Sequence, residues 1–241
     1  MTRHRISILV AALAIPALLA ACTGGGGSSL PTIPVITPGP SVDASAEPTH
    51  PGPTYPPGCP TAQPAPLGAG DVREVTIDTD KGPIVIEVKG ATSPIATGNF
   101  VALADCGYYD GVVFHRLVPG FVIQGGDGQF GRSPDVIPDL VGTGGPPYTI
   151  QDEPITAPYK RGTVAMARTP QPNSVGSQFF IVLDDGVADA LNSAQYGYQI
   201  VGQVTSGMDA VDKIAAMPNS GTPNNAAIDP VAMNKVTVST P

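Results

Sequence analysis

The chain has no tryptophan, and only three histidines and three cysteines among 241 residues. Charged side chains make up just 13 % of it. Each shortage excludes something. Twelve Lys and Arg residues, scattered rather than clustered, leave no basic stripe for a phosphate backbone to follow, which argues against a nucleic-acid partner. His4 lies in an apolar leader and His50 in a proline-rich stretch, so His115 is the one histidine left for a folded domain. With one histidine and no Cys/His pairs at ligand spacing, no metal centre or other cofactor is expected. The same shortage leaves no Ser/His/Asp arrangement for a hydrolase.

Proline and glycine are abundant instead, at 28 and 29 residues, so part of the chain is expected not to be globular. The net charge of −8 is carried by residues 71–241, where 18 acidic side chains meet 10 basic ones. Arg3, His4 and Arg5 precede an apolar run to Ala21, interrupted by Pro16 and short for a membrane span. Leu19-Ala20-Ala21-Cys22 resembles a bacterial lipoprotein signal. The resemblance implies cleavage after residue 21, acylation of Cys22 and a protein held by lipid on the extracytoplasmic face of a cell membrane. Residues 22–70 are rich in Gly, Ser and Pro, show no hydrophobic period, and read as a disordered tether. Export permits a disulfide between Cys59 and Cys106; two free thiols are the alternative.

Residues 71–241 read as the domain. Val75 and Ile77, then Ile84, Ile86 and Val88, alternate with other residues on either side of Lys81-Gly82-Pro83, as in a hairpin. Ser93-Pro94 supplies an N-cap and first-turn proline for a helix that ends at Gly107. Further strands are expected at residues 163–167, 178–183, 198–204 and 234–239, with a second helix over 208–216. Gly126-Asp127-Gly128-Gln129-Phe130-Gly131 is a formal dinucleotide-binding match, but Pro134 and Pro138 leave no helix to receive a pyrophosphate.

The stretch from Phe114 to Asp127 sets Arg116, His115 and Gln124 into an otherwise apolar pair of strands around Pro119-Gly120. Period-two alternation sends Phe114 and Arg116 to one face and His115 to the other; past the turn it groups Val122 with Gln124, and Phe121 with Ile123. Polar groups over an apolar sheet are costly unless paired, so they mark a site. Phe114-His115-Arg116, Phe121 and Gln124-Gly125-Gly126-Asp127 resemble the signature of the cyclophilin family of peptidyl-prolyl isomerases. Gly142-Thr143-Gly144-Gly145, Ser177-Gln178-Phe179-Phe180 and Val201-Gly202-Gln203-Val204 extend the likeness over roughly residues 72–240.

The resemblance implies a mainly β fold: a closed antiparallel eight-stranded barrel with two capping helices, behind the disordered tail. It implies rotation about X-Pro bonds of exported or envelope proteins, by a monomer. A catalytically weak module that binds proline peptides, or a chaperone on the same fold, is the alternative. Arg116 matches the catalytic arginine, His115 its neighbouring histidine and Gln124 the glutamine beside it. Phe121, Val122, Phe180 and Leu191 match the proline pocket. Ala167, Arg168 and Gln178 match the backbone groove, and Tyr198 stands where some members have histidine. His115 also reads as a core or rim residue, and Arg116, taken alone, as half of a surface ion pair. Ala190 replaces an aromatic residue common before Leu-Asp, Val122 a methionine, and Arg168 an asparagine.

Overall fold

The computed structural model describes residues 55–193 and 197–241. The leader, Cys22 and the upstream part of the expected tether lie outside the described residues. Nine strands form one antiparallel sheet: β1 (Val72–Asp78), β2 (Ile84–Lys89), β3 (Val113–Val118), β4 (Val122–Gly125), β5 (Thr163–Met166), β6 (Phe179–Val182), β7 (Ile200–Ser206), β8 (Ala226–Ala232) and β9 (Lys235–Ser239). Among the described residues three α-helices accompany them: α1 (Pro94–Asp105), α2 (Ala188–Asn192) and α3 (Met208–Ala215), with a 3-10 turn at Asp185–Val187 leading into α2. The strands lie in the order β8-β3-β4-β6-β5-β7-β2-β1-β9.

The expected closed barrel is instead open and curled, its sheet counting nine strands among the described residues. The sheet's two edges, β8 and β9, are consecutive in the chain and joined only by Met233 and Asn234. Three Cα steps reach at most about 11 Å, so the sheet curls almost fully round. No ladder joins β8 to β9 among the described residues. Met233 and Asn234 are tied elsewhere: Met233 N donates to Val112 O, Gly111 N donates to Met233 O, and Asn234 N donates to Asp78 O. Pro230 also denies β8 one donor, which suits an edge strand.

The sheet divides two apolar clusters. The larger takes alternate residues of β1 and β2 (Val75, Ile77, Ile84, Ile86, Val88) together with Phe100 and Leu103 of α1 and Val211 and Ile214 of α3. Phe100, Tyr109 and Phe114 surround Phe179 at ring-centroid distances of 5.3, 5.5 and 6.2 Å, mostly edge to face. The smaller cluster lies across the sheet and contains Val122, Phe180, Val182 and Leu191. Leu191 comes from α2, a third helix that the sequence reading left out.

Helix α1 starts at Pro94, but Ser93 makes no side-chain cap. Glu153 caps it from a distant loop, accepting from Ile95 N at 2.9 Å and Ala96 N at 2.8 Å. A carboxylate there satisfies two orphan donors and faces the positive end of the helix dipole.

Residues 55–70, expected as tether, pack on the domain instead. Tyr55 stands against Tyr108 with ring centroids 5.6 Å apart. Leu67 N donates to Pro94 O, and Gln151 N donates to Gln63 Oε1. The segment crosses α1 at Gly98, where a Cβ would fall 2.3 Å from Ala65 O, so only glycine admits the crossing. Cys59 and Cys106 form a disulfide that pins this strap to the end of α1. Proline-rich segments without period can be ordered by such anchors, and hydrophobic patterning does not detect them.

The disulfide spans 47 residues, so chain entropy predicts a contribution of roughly 4 kcal/mol to stability. Replacing both cysteines with serine should lower the urea unfolding free energy by about that amount. An unchanged unfolding midpoint would show that the strap is held by its packing alone.

Candidate active site

β3 and β4 pair antiparallel, but not in simple alternation. Phe114 opposes Gly125, and Arg116 opposes Gln124, so two steps on β3 match one on β4. His115 is the extra residue of a β-bulge. A bulge reverses the side-chain parity beyond it. Phe114 stays in the larger cluster, and so does Leu117. Arg116 turns to the opposite face, over Gln124 and the smaller cluster. The expectation that Phe114 and Arg116 share a face is thus corrected. Phe121 also departs from expectation: it sits in the turn before β4 and packs against the cluster that holds Val122, not with Ile123.

The polar side chains form a line. Arg116 Nη1 lies 3.4 Å from Gln124 Oε1, Gln124 Nε2 donates to Gln178 Oε1 at 3.0 Å, and Gln178 Nε2 donates to Gly142 O and Gly144 O, each at 2.9 Å. Beside it lies the apolar patch. Val122, Phe180 and Leu191 are buried there, with Phe121, Ala167 and Tyr198 packed against them half-exposed. Phe180 meets Tyr198 edge to face, centroids 5.2 Å apart. The residues named for the proline pocket therefore do converge, on one side of the sheet.

Arg168 is placed differently. Its guanidinium grips Asp152 bidentately, at 2.8 and 3.0 Å, and donates to Gln171 O at 2.7 Å. The side chain is only 4 % exposed. It clamps its own loop through Asp152 and Gln171. Two cavities have volumes of about 280 and 270 Å³, one lined by Tyr55, Tyr108, Gly145 and Pro146, the other by Lys89, Pro158 and Gln203. Neither is lined by Arg116, Gln124 or Phe121. Among the described residues, no group of three His, Cys, Asp or Glu side chains could hold a metal ion.

His115 is 7 % exposed, and its ring lies beside Gly142, in the loop that Gln178 bonds. Neither ring nitrogen makes a well-formed hydrogen bond. Burial pushes its pKa down to about 4; Asp127 nearby works against this, Arg116 adds to it, and the Val113 backbone favours the proton slightly. His115 is therefore neutral at pH 7, and it serves as the packed residue that creates the bulge. No signal in the sequence marks that bulge. Asp127, at the end of the signature stretch, is fully buried, which its sequence surroundings do not mark.

A lowered folded-state pKa means that the unfolded chain binds the proton more readily between about pH 4 and 6.5. Stability contributed by neutral His115 is then complete above pH 6.5 and is lost as pH falls toward 4. Between pH 7.5 and 4.5 the wild type should lose roughly 2–3 kcal/mol more unfolding free energy than His115→Gln. Equal losses in the two proteins would contradict the assignment.

Known proteins resemble this chain over most of its described residues. Residues 74–238 match the family model described as cyclophilin type peptidyl-prolyl cis-trans isomerase/CLD. A probable peptidyl-prolyl cis-trans isomerase of Brucella abortus is 40 % identical over 166 residues, which is 68 % of this chain and 81 % of that protein. The corresponding isomerase of Acinetobacter baylyi is 34 % identical over 176 residues, covering 68 % and 84 %. A crystal structure of a Cryptosporidium parvum cyclophilin type isomerase superposes with a TM-score of 0.58 at 29 % identity, covering 70 % of this chain and 99 % of that one. The same protein solved in the presence of the dipeptide Ala-Pro gives 0.57 at 28 %. The family model spans more than half of the chain, and the chain belongs to the cyclophilin-type peptidyl-prolyl cis-trans isomerase family.

Proposed function

We propose that this isomerase acts on X-Pro bonds of exported polypeptides while held to a membrane through lipid on Cys22, with Arg116 as the group that lowers the rotation barrier. The observation that carries the site assignment is the line Gln178–Gln124–Arg116, which ends beside Val122, Phe180 and Phe121. The Ala-Pro dipeptide present with the Cryptosporidium relative supports proline-containing peptides as the substrate class.

The chemistry asks for little. Amide conjugation sets a barrier of about 20 kcal/mol, and unaided exchange takes on the order of 10–100 s. As the bond twists, conjugation is lost and the prolyl nitrogen becomes pyramidal and able to accept a hydrogen bond. Arg116 offers a rigid fork of donors for it. Such a contact acts mainly in the twisted state, so it lowers the barrier instead of merely tightening binding. A preference of about 3 kcal/mol would give somewhat over a hundredfold. The pyrrolidine ring sits against Phe121, Val122, Phe180 and Leu191, while the residue before it swings. Gln124 occupies one edge of the guanidinium and so aims the rest. His115, buried and neutral, takes no proton.

Arg116→Ala should lower kcat/KM for a short Ala-Pro peptide at least about tenfold while circular dichroism and the unfolding midpoint stay near wild type. Undiminished turnover in that variant would overturn the assignment. A wild-type protein that binds the peptide without accelerating exchange would make it a binding module. Cys22→Ser should remove acyl mass and shift the protein out of the membrane fraction; an unchanged distribution would contradict lipid anchoring.

A further inference from the structure

Behind the catalytic line lies a buried carboxylate that the mechanism above does not use. Asp127 is fully buried, two residues past the end of β4. Its four contacts are all backbone N–H donors. Oδ1 accepts from Gln129 N at 3.0 Å and Phe130 N at 2.9 Å; Oδ2 accepts from Gly142 N at 2.7 Å and Gly144 N at 2.9 Å. One oxygen closes its own turn, and the other holds a loop fifteen to seventeen residues away. A carboxylate buried without countercharge is costly, and four N–H dipoles are what offsets that cost here.

The held loop is the one that orients Gln178. Gly142 O and Gly144 O both accept from Gln178 Nε2. With its amino group committed to two carbonyls, Gln178 can present only its oxygen to Gln124. Gln124 must then turn its own amino group to Gln178 and its oxygen to Arg116. The sense of every amide in the line follows from where those two carbonyls stand. They stand where Asp127 anchors the N–H groups of the same two glycines.

We propose that Asp127 is a positioning residue for prolyl isomerisation: its carboxylate fixes the Gly142–Gly144 loop, and through Gln178 and Gln124 it sets the direction of the Arg116 guanidinium. The proposal rests on Arg116 being the catalytic donor. Asp127 never touches substrate. Its removal should therefore alter turnover more than peptide binding, because the apolar patch of Val122, Phe180 and Leu191 is built without it.

The test is Asp127→Asn in the full chain, compared with wild type and Arg116→Ala. Asparagine keeps the shape and one acceptor oxygen, but turns an amino group toward two N–H donors. The expected result is a kcat lowered about tenfold with KM changed less than about twofold. In ¹⁵N NMR spectra, the Gly142 and Gly144 amide signals and the Gln124 and Gln178 side-chain amide signals should shift together. Gly144→Ala supplies a second route should the asparagine variant not fold. A Cβ there would lie 2.5 Å from Asp127 Oδ1 and 2.6 Å from Gln129 Cβ, pushing the loop off an intact carboxylate. It should show the same split between kcat and KM. In a Gln178→Leu background, where the link is already cut, Asp127→Asn should cost little further turnover. Wild-type kcat in folded Asp127→Asn, or unmoved Gln124 signals, or full additivity with Gln178→Leu, would overturn the proposal. Failure of Arg116→Ala to reduce turnover would instead overturn the reading on which it rests.

Discussion

One extra residue in β3 decides which way Arg116 points. Without the bulge at His115, alternation would place Arg116 with Phe114, inside the larger apolar cluster and away from Gln124. A guanidinium buried there without a partner would be ruinous to stability. With the bulge, strand and core keep their packing on both sides: Phe114 and Leu117 face inward, while Arg116 lies over the smaller cluster. Burial keeps His115 neutral, which makes it a tolerable residue to pack at the irregularity.

The site on that face combines two kinds of order. The apolar patch is assembled from distant segments: Val122 on β4, Phe180 on β6, Leu191 on α2 and Tyr198 just before β7. Neighbouring strands bring the first two together, since Val122 pairs with Val182 and Gln124 with Phe180. The polar line is ordered by hydrogen-bond direction. Each glutamine has one donor end and one acceptor end in use, so the whole row has a single sense from the loop carbonyls to the arginine. Rotation of a conjugated bond needs little more than a ring held still and a donor held ready.

Much of this was legible from the chain alone. Strands β1 and β2 announce themselves through Val75, Ile77, Ile84, Ile86 and Val88, and α1 through Ser93-Pro94 and its apolar spacing. The pocket residues were reached through family resemblance, because their types alone suit an ordinary core. What escaped has physical reasons. A bulge inserts a residue without changing composition. β8 contains Asp229 and Pro230, which speak against a strand everywhere except at an edge. Residues 55–70 carry no period, and what orders them is a disulfide, Tyr55 against Tyr108, and a glycine crossing on α1. Glu153 caps α1 from 57 and 58 residues away, beyond any local pattern. The Arg168–Asp152 ion pair likewise joins residues 16 apart in loops without a regular pattern.

A crystal structure of the domain soaked with an Ala-Pro peptide tests the central claim most directly. The pyrrolidine ring should lie against Phe121 and Phe180, with an Arg116 Nη atom about 3 Å from the prolyl nitrogen and Gln124 still on the guanidinium's other edge. A peptide seated elsewhere, such as the cavity beside Tyr55 and Tyr108, or an Arg116 turned away from the bound proline, would contradict it.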